Sequence, residues 1–353
     1  MRNGVKHISS LRISFSEKNK KLITLLVLLI VLFVSALAGI CLGSVRLSPS
    51  EVFTALASGK STPDGRIVYC IRLPRVLGSM LAGAALALSG AIIQAVLGNP
   101  LASPGVIGVN AGAGFFTVLC SALLPTAAKM LPTAAKMLPA AAFVGAFAAV
   151  MTVYIIARRT EASKLTLVLA GAAISSLFNA GTDTVTELFP ETLSGISSFK
   201  IGGIGNITLE KLFPAWIIIA VGIAAAFLLH NETDVLSLGD KTAFTLGLNV
   251  KATRFVLLII AAALAGAAVS FAGILGFVGL IVPHICGRLI GYESRYKMPA
   301  CVLLGAAFVT VCDIAARTIF SPNEISLGIV ISYIGVPFFI YLLLKKKGGK
   351  HNA

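Results

Sequence analysis

Almost every stretch of this chain long enough to form a regular element is too apolar to face water. Runs poor in charge lie near 22–43, 72–97, 106–124, 138–157, 165–185, 212–230, 254–275, 299–316 and 326–344, with a shorter one at 276–291. A helix rises ~1.5 Å per residue, so about 20 apolar residues cross the ~30 Å hydrocarbon layer of a bilayer, the length most of these runs reach. Only 12% of the 353 residues are charged, about half the share found in water-soluble domains. The expected fold is an all-α, multi-pass membrane protein with about ten transmembrane helices.

Charge placement tests that count. The net charge of +15 does not form one patch, which argues against nucleic acid as a partner. Nineteen of the 29 basic residues fall on one side if all ten runs cross: those up to Lys21, then Arg158, Arg159, Lys164, Lys241, Lys251, Arg254, Arg288, Arg295, Lys297 and the lysines from Lys345 onward. Cytoplasmic loops carry the excess of Lys and Arg, so both termini are expected in the cytoplasm. Nine crossings would put the two basic ends on opposite sides, so 276–291 counts as a short span. The organisation expected is a cytoplasmic segment 1–21, one transmembrane domain 22–344 and a basic tail 345–353. Ala36-Leu37-Ala38 ahead of Cys41 looks like a cleavage site. The long basic lead and Ile40 before the cysteine favour an uncleaved first span instead.

Few segments carry chemistry. "ASGKST" at 57–62 has the Gly-Lys-Ser of a P-loop, but Thr54 stands where that loop needs its first glycine, so no nucleotide site is expected. His284 and Cys286 in "GFVGLIVPHICGRLIG" (276–291) are two apart, and such side chains do not face each other on a helix. Four histidines and no C-x-x-C pair suggest no metal site, no cofactor and no catalytic residue. "LPTAAKM" occurs twice in tandem, at 124–130 and 131–137, as a duplication in a tolerant loop.

Polar residues in the spans point to transport. Ser175, Asn179, Thr182 and Thr186 are spaced four, three and four apart, which keeps them within about 60° of one another on a helix. Such a stripe lines a wet path or bonds to another helix, and Asp183 flanks it as the principal acid within a span. Gln94 is a weaker candidate of the same kind. Arg72 and Arg75 stand at the outer mouth of the second span, with Arg317 after the ninth. They either snorkel to headgroups or receive a partner's carboxylates, which arginine holds bidentately. "LSLGDKTAFTLGLNV" (236–250) reads as a short amphipathic helix broken by Gly239 and Gly247, a cytoplasmic contact surface.

Together, "RLPRVLGSMLAGAALALSGAIIQAVLGNPLASPGVIGVNAGAG" (72–114), 236–250, 276–291 and "IGVPFFIYLLLKK" (334–346) resemble the permease subunits of ABC importers for iron-siderophores, haem and cobalamin. The resemblance runs in order over nearly the whole chain. It implies ten spans in a bacterial cytoplasmic membrane and a second permease subunit, identical or not. It also implies a pair of cytoplasmic ATPases and an external binding protein that delivers an iron chelate. Carried over by position, Arg72, Arg75 and Arg317 receive the binding protein's acids. The fifth span with its stripe lines the path, and Leu238, Gly239, Asp240, Leu246 and Gly247 belong to the coupling helices seated on the ATPase. An ion-coupled secondary transporter is the alternative. Three positions depart from the family pattern: Arg288 follows Gly287 one place late, Asp240 replaces a common glutamate, and Ile325-Ser326 replaces a Leu-Pro pair.

Overall fold

The computed structural model describes residues 2–43, 47–124, 132–159, 164–205 and 207–347. Of the duplicated heptapeptide, 125–131 lies outside the described residues, as does the end of the basic tail at 348–353, while the rest of the second copy opens the helix Pro132–Arg159 where a loop was expected. Every regular element among the described residues is helical. In chain order the helices are α1 (Arg2–Cys41), α2 (Pro49–Ser58), α3 (Leu73–Leu97), α4 (Val109–Leu123), α5 (Pro132–Arg159), α6 (Lys164–Leu188) and α7 (Leu193–Ile201). There follow α8 (Leu209–Leu228), α9 (His230–Ser237), α10 (Asp240–Thr245), α11 (Val250–Ala272), α12 (Val278–Ile290), α13 (Ser294–Thr318) and α14 (Leu327–Lys347).

Among the described residues, seven helices are long and apolar enough to cross a membrane; they fall in α1, α3, α5, α6, α8, α11 and α13. Three shorter apolar helices, α4, α12 and the 327–342 part of α14, lie on the remaining apolar runs. At 13 residues, α12 is the shortest of them, and it extends only about 20 Å. It is a separate helix because the backbone reverses before it. Gly273 has φ 67° and Phe277 φ 61°, and the Phe277 ring covers Gly335 of α14, where any side chain would collide with it.

Burial ranks the helices. In α3, 83% of the apolar window is buried, and in α11 67%, against 17% for α1. Thus α3 is the axis on which α11, α12 and α13 pack, while α1 presents Leu22, Leu26 and Phe33 outward as a lipid face. Small residues make the axis possible. A methyl group at Gly83 would overlap the Gly305 carbonyl oxygen of α13, and one at Gly90 the Gly279 carbonyl oxygen of α12. Such backbone contact gains dispersion energy that lipid-exposed leucines cannot supply.

Candidate functional site

The three arginines come together, but they do not form an open surface. Arg72, Arg75 and Arg317 are 4%, 6% and 3% exposed. A one-turn helix, Pro63–Arg66, passes into a π-helical turn, Ile67–Arg72, ahead of α3. Arg72 at its end donates to the carbonyl oxygens of Ile40 and Cys41, the latter at 3.0 Å. Arg317 donates to the Gly39 carbonyl oxygen at 2.9 Å. Both guanidiniums thus cap the carbonyl end of α1, where four groups lack intrahelical partners and the dipole favours cations. Arg75 donates through Nε to both Asp313 oxygens at 2.9 and 3.2 Å, and through Nη1 to Glu324 Oε2 at 2.8 Å. Arg317 Nε lies 3.2 Å from Asp313 Oδ2. None of the three guanidiniums lies open: Arg72 and Arg317 bond the carbonyls of α1, Arg75 bonds Asp313 and Glu324, and Glu324 is the half-open edge of the network.

Asp313 was not singled out in the sequence. It is 0% exposed in α13, and it replaces Asp183 as the principal acid buried in a span. Its signal was the Asp313–Arg317 spacing of four within an apolar run, a helical neighbour pair of opposite charge.

The residues of the α6 stripe differ in exposure. Thr182 is 2% exposed and donates to the Phe178 carbonyl at 2.9 Å. Thr186 donates to its own helix at Thr182 and Asp183, and Ser175 is half-buried. Of the stripe only Asn179 is open, and it shares the exposed face with Ser176, Asp183, Thr184 and Glu187. Serine and threonine satisfy themselves on the preceding turn, so they say little about which side is wet. Amide and carboxylate groups too short to do so mark it better. Phe178 stacks on Phe115 of α4 at 5.4 Å, which fixes the rotation of α6.

Gln94 is buried, with Nε2 3.4 Å from the Ala102 carbonyl oxygen. It lines a cavity of about 380 Å³ with Asn99, Asp234, His284 and Lys297. His284 packs edge-on against Phe338 at 6.0 Å, and Cys286 is buried while Arg288 is exposed.

The 236–250 stretch folds as the end of α9 followed by α10, which lies between two glycine breaks. Gly239 has φ 102° and Gly247 φ 84°, values in which a side chain is strained. Ala243 is 0% exposed and sits on the inner side of α10. Leu238, Phe244 and Leu246 are 61%, 74% and 62% exposed. Asp240 turns inward to Arg254 of α11, with both carboxylate oxygens 2.7 and 2.8 Å from Nη2.

Comparison with known proteins covers most of the chain. Residues 27–345 match the FecCD transport family. The Fe(3+)-citrate import system permease protein YfmE of Bacillus subtilis is 35% identical over 329 residues, 93% of this chain and 96% of the relative. The iron(3+)-hydroxamate import system permease protein FhuB of the same organism is 35% identical over 93% of this chain and 84% of the relative. The hemin transport system permease protein HmuU of Yersinia pestis is 34% identical over 91% of this chain and 95% of its own. A solved structure of an inward-facing metal-chelate type ABC transporter superposes with TM-score 0.78 at 26% identity, covering 92% of this chain and 99% of that one.

Proposed function

We infer that this chain, which belongs to the FecCD transport family, is the membrane permease subunit of an ATP-driven importer for an iron chelate. One observation carries the reading: the likeness runs end to end in both sequence and fold. Ferric siderophores are the favoured cargo. Hemin is the second, on the strength of the Yersinia relative.

The subunit does no covalent chemistry; ATP is hydrolysed by separate ATPase partners. All ten apolar helices cross, and both termini face the cytoplasm. Two permease subunits enclose the path, two ATPases drive it and an external binding protein supplies the chelate. Leu238, Phe244 and Leu246 form an apolar patch on a short polar-flanked element, the kind of surface that marks a protein contact. The open face of α6 lines the path, because Ser176 and Asn179 near the middle of the helix and Asp183 beyond them are exposed, and polar groups within a span face the bundle interior or a water-filled path. A binding protein's carboxylates reach the arginine cluster at its Glu324 edge, where they exchange with Glu324 for Arg75. An ion-coupled transporter would run on an ion gradient without an ATPase partner, whereas relatives along the whole chain are named as import-system permeases.

The test is uptake of radioactive ferric citrate, a ferric hydroxamate and hemin by cells with and without the gene. Loss of chain-dependent uptake on ATP depletion, with little effect of a protonophore when ATP is maintained, is expected. The reverse pattern would establish the secondary transporter.

A further inference from the structure

We propose that Asp240 and Asp234 are positioning residues that fasten the coupling unit to α11 and α13, so that motion delivered at the exposed apolar patch reaches both membrane helices. This deepens the permease reading and rests on it.

At six residues, α10 is too short to hold its shape alone. Covalently it is joined to its neighbours through Gly239 and Gly247, both with positive φ. A push on Phe244 that met glycine joints alone would rotate α10 and move little else. Two charged contacts add to those joints, one tying α10 straight to a membrane helix and the other anchoring α9 on the near side of Gly239, beside Leu238 of the patch. The first is Asp240, the opening residue of α10, chelating Arg254 Nη2 with both oxygens. The Arg254 side chain is 5% exposed against 43% for Asp240, so the pair is sheltered from its arginine side and weakly screened there. Charge-assisted bonds of this geometry are about twice as strong as neutral ones. The second is Asp234 of α9, whose Oδ1 accepts from the Ser294 backbone N–H at 2.8 Å, sixty positions away. Ser294 opens α13, where N–H groups lack intrahelical partners and a carboxylate is favoured by the dipole.

The two clamps end on helices that share a neighbour. Both α11 and α13 pack on the buried axis α3. Leu236 and Ala243 are each 0% exposed, so the unit sits on an apolar footing while its acids reach inward. Asp240 therefore acts toward the membrane domain, and the contact with the ATPase falls to Leu238, Phe244 and Leu246.

The test uses the full transporter, with its ATPase and binding protein, in proteoliposomes. The probe is whichever of ferric citrate, ferric hydroxamate or hemin the wild type takes up fastest. ATP hydrolysed per chelate moved and the amount of ATPase subunit retained on purification are measured for D240N, D234N and R254K, with E210Q as the control. D240N and D234N are expected to keep the ATPase subunit and its hydrolysis while raising the ATP-to-chelate ratio about tenfold. R254K is expected to raise it by less, and E210Q to match the wild type. A wild-type ratio in D240N overturns the clamp, and so does loss of the ATPase subunit, which would make Asp240 a contact residue. If D240N fails to reach the membrane, R254K decides, and a wild-type ratio there overturns the clamp. A wild type that retains no ATPase at all would instead sink the permease reading.

Discussion

Replacing Asp313 with asparagine isolates the charge at the centre of the arginine cluster. The carboxylate is 0% exposed and is shared between Arg75, at 2.9 and 3.2 Å, and Arg317, at 3.2 Å. Asparagine keeps the size and one acceptor but removes the charge, leaving two sheltered guanidiniums with Glu324 as their remaining carboxylate. Removing one partner of a buried pair costs about 3–5 kcal/mol, because the other charge stays desolvated and uncompensated. Unfolding entropy of ~2.1 cal/mol/K per residue gives about 0.7 kcal/mol/K for a chain of this length, so the melting temperature should fall by about 4–7 °C. The assay is thermal unfolding of the detergent-solubilised subunit, with D183N as the comparison, since Asp183 is exposed on α6. The triple substitution of Asp313→Leu, Arg75→Met and Arg317→Met should regain most of the loss, as buried charges replaced together by apolar groups often do. An unshifted D313N, or a D183N that falls as far, would refute the reasoning.

Three further outcomes follow from the geometry. In a background lacking Cys70, single cysteines at Ser176, Asn179 and Asp183 should react with a water-soluble thiol reagent, while those at Ser175 and Thr182 should not; the opposite pattern would restore the original stripe as the path lining. E324Q should tighten binding-protein docking about threefold, the worth of one half-exposed ion pair, measured by surface plasmon resonance; weaker docking would count against exchange at Arg75. F244A should release the ATPase subunit on purification without lowering membrane yield, since Phe244 is 74% exposed; full retention would remove it from the contact.

The helices were legible because hydropathy marks a span whatever packs beside it. All ten apolar runs carry an apolar helix, including 276–291, whose separation from α11 shows only as Gly273 and Gly276 in sequence. The short helix α10 was legible for a related reason: Gly239 and Gly247 bracket it, and positive φ favours glycine. Side-chain direction was not. Thr182 reads as a path residue until its hydroxyl is seen to bond Phe178. Arg72 and Arg317 read as surface cations until the carbonyl end of α1 is seen between them. In both cases the deciding partner is a backbone oxygen, which leaves no mark in residue identity. Asp313 was missed for the complementary reason. Its i+4 partner Arg317 is visible in sequence, but the second cation, Arg75, lies 238 positions away and shows only in the fold.

The most direct test is to purify the tagged chain in mild detergent from its native membrane, quantify the accompanying proteins, and assay ATP hydrolysis. The expected result is an ABC ATPase in equal amount to permease chains, with hydrolysis stimulated by the chelate-loaded binding protein. A chain recovered without any ATPase, from membranes whose chelate uptake survives ATP depletion, would contradict the importer.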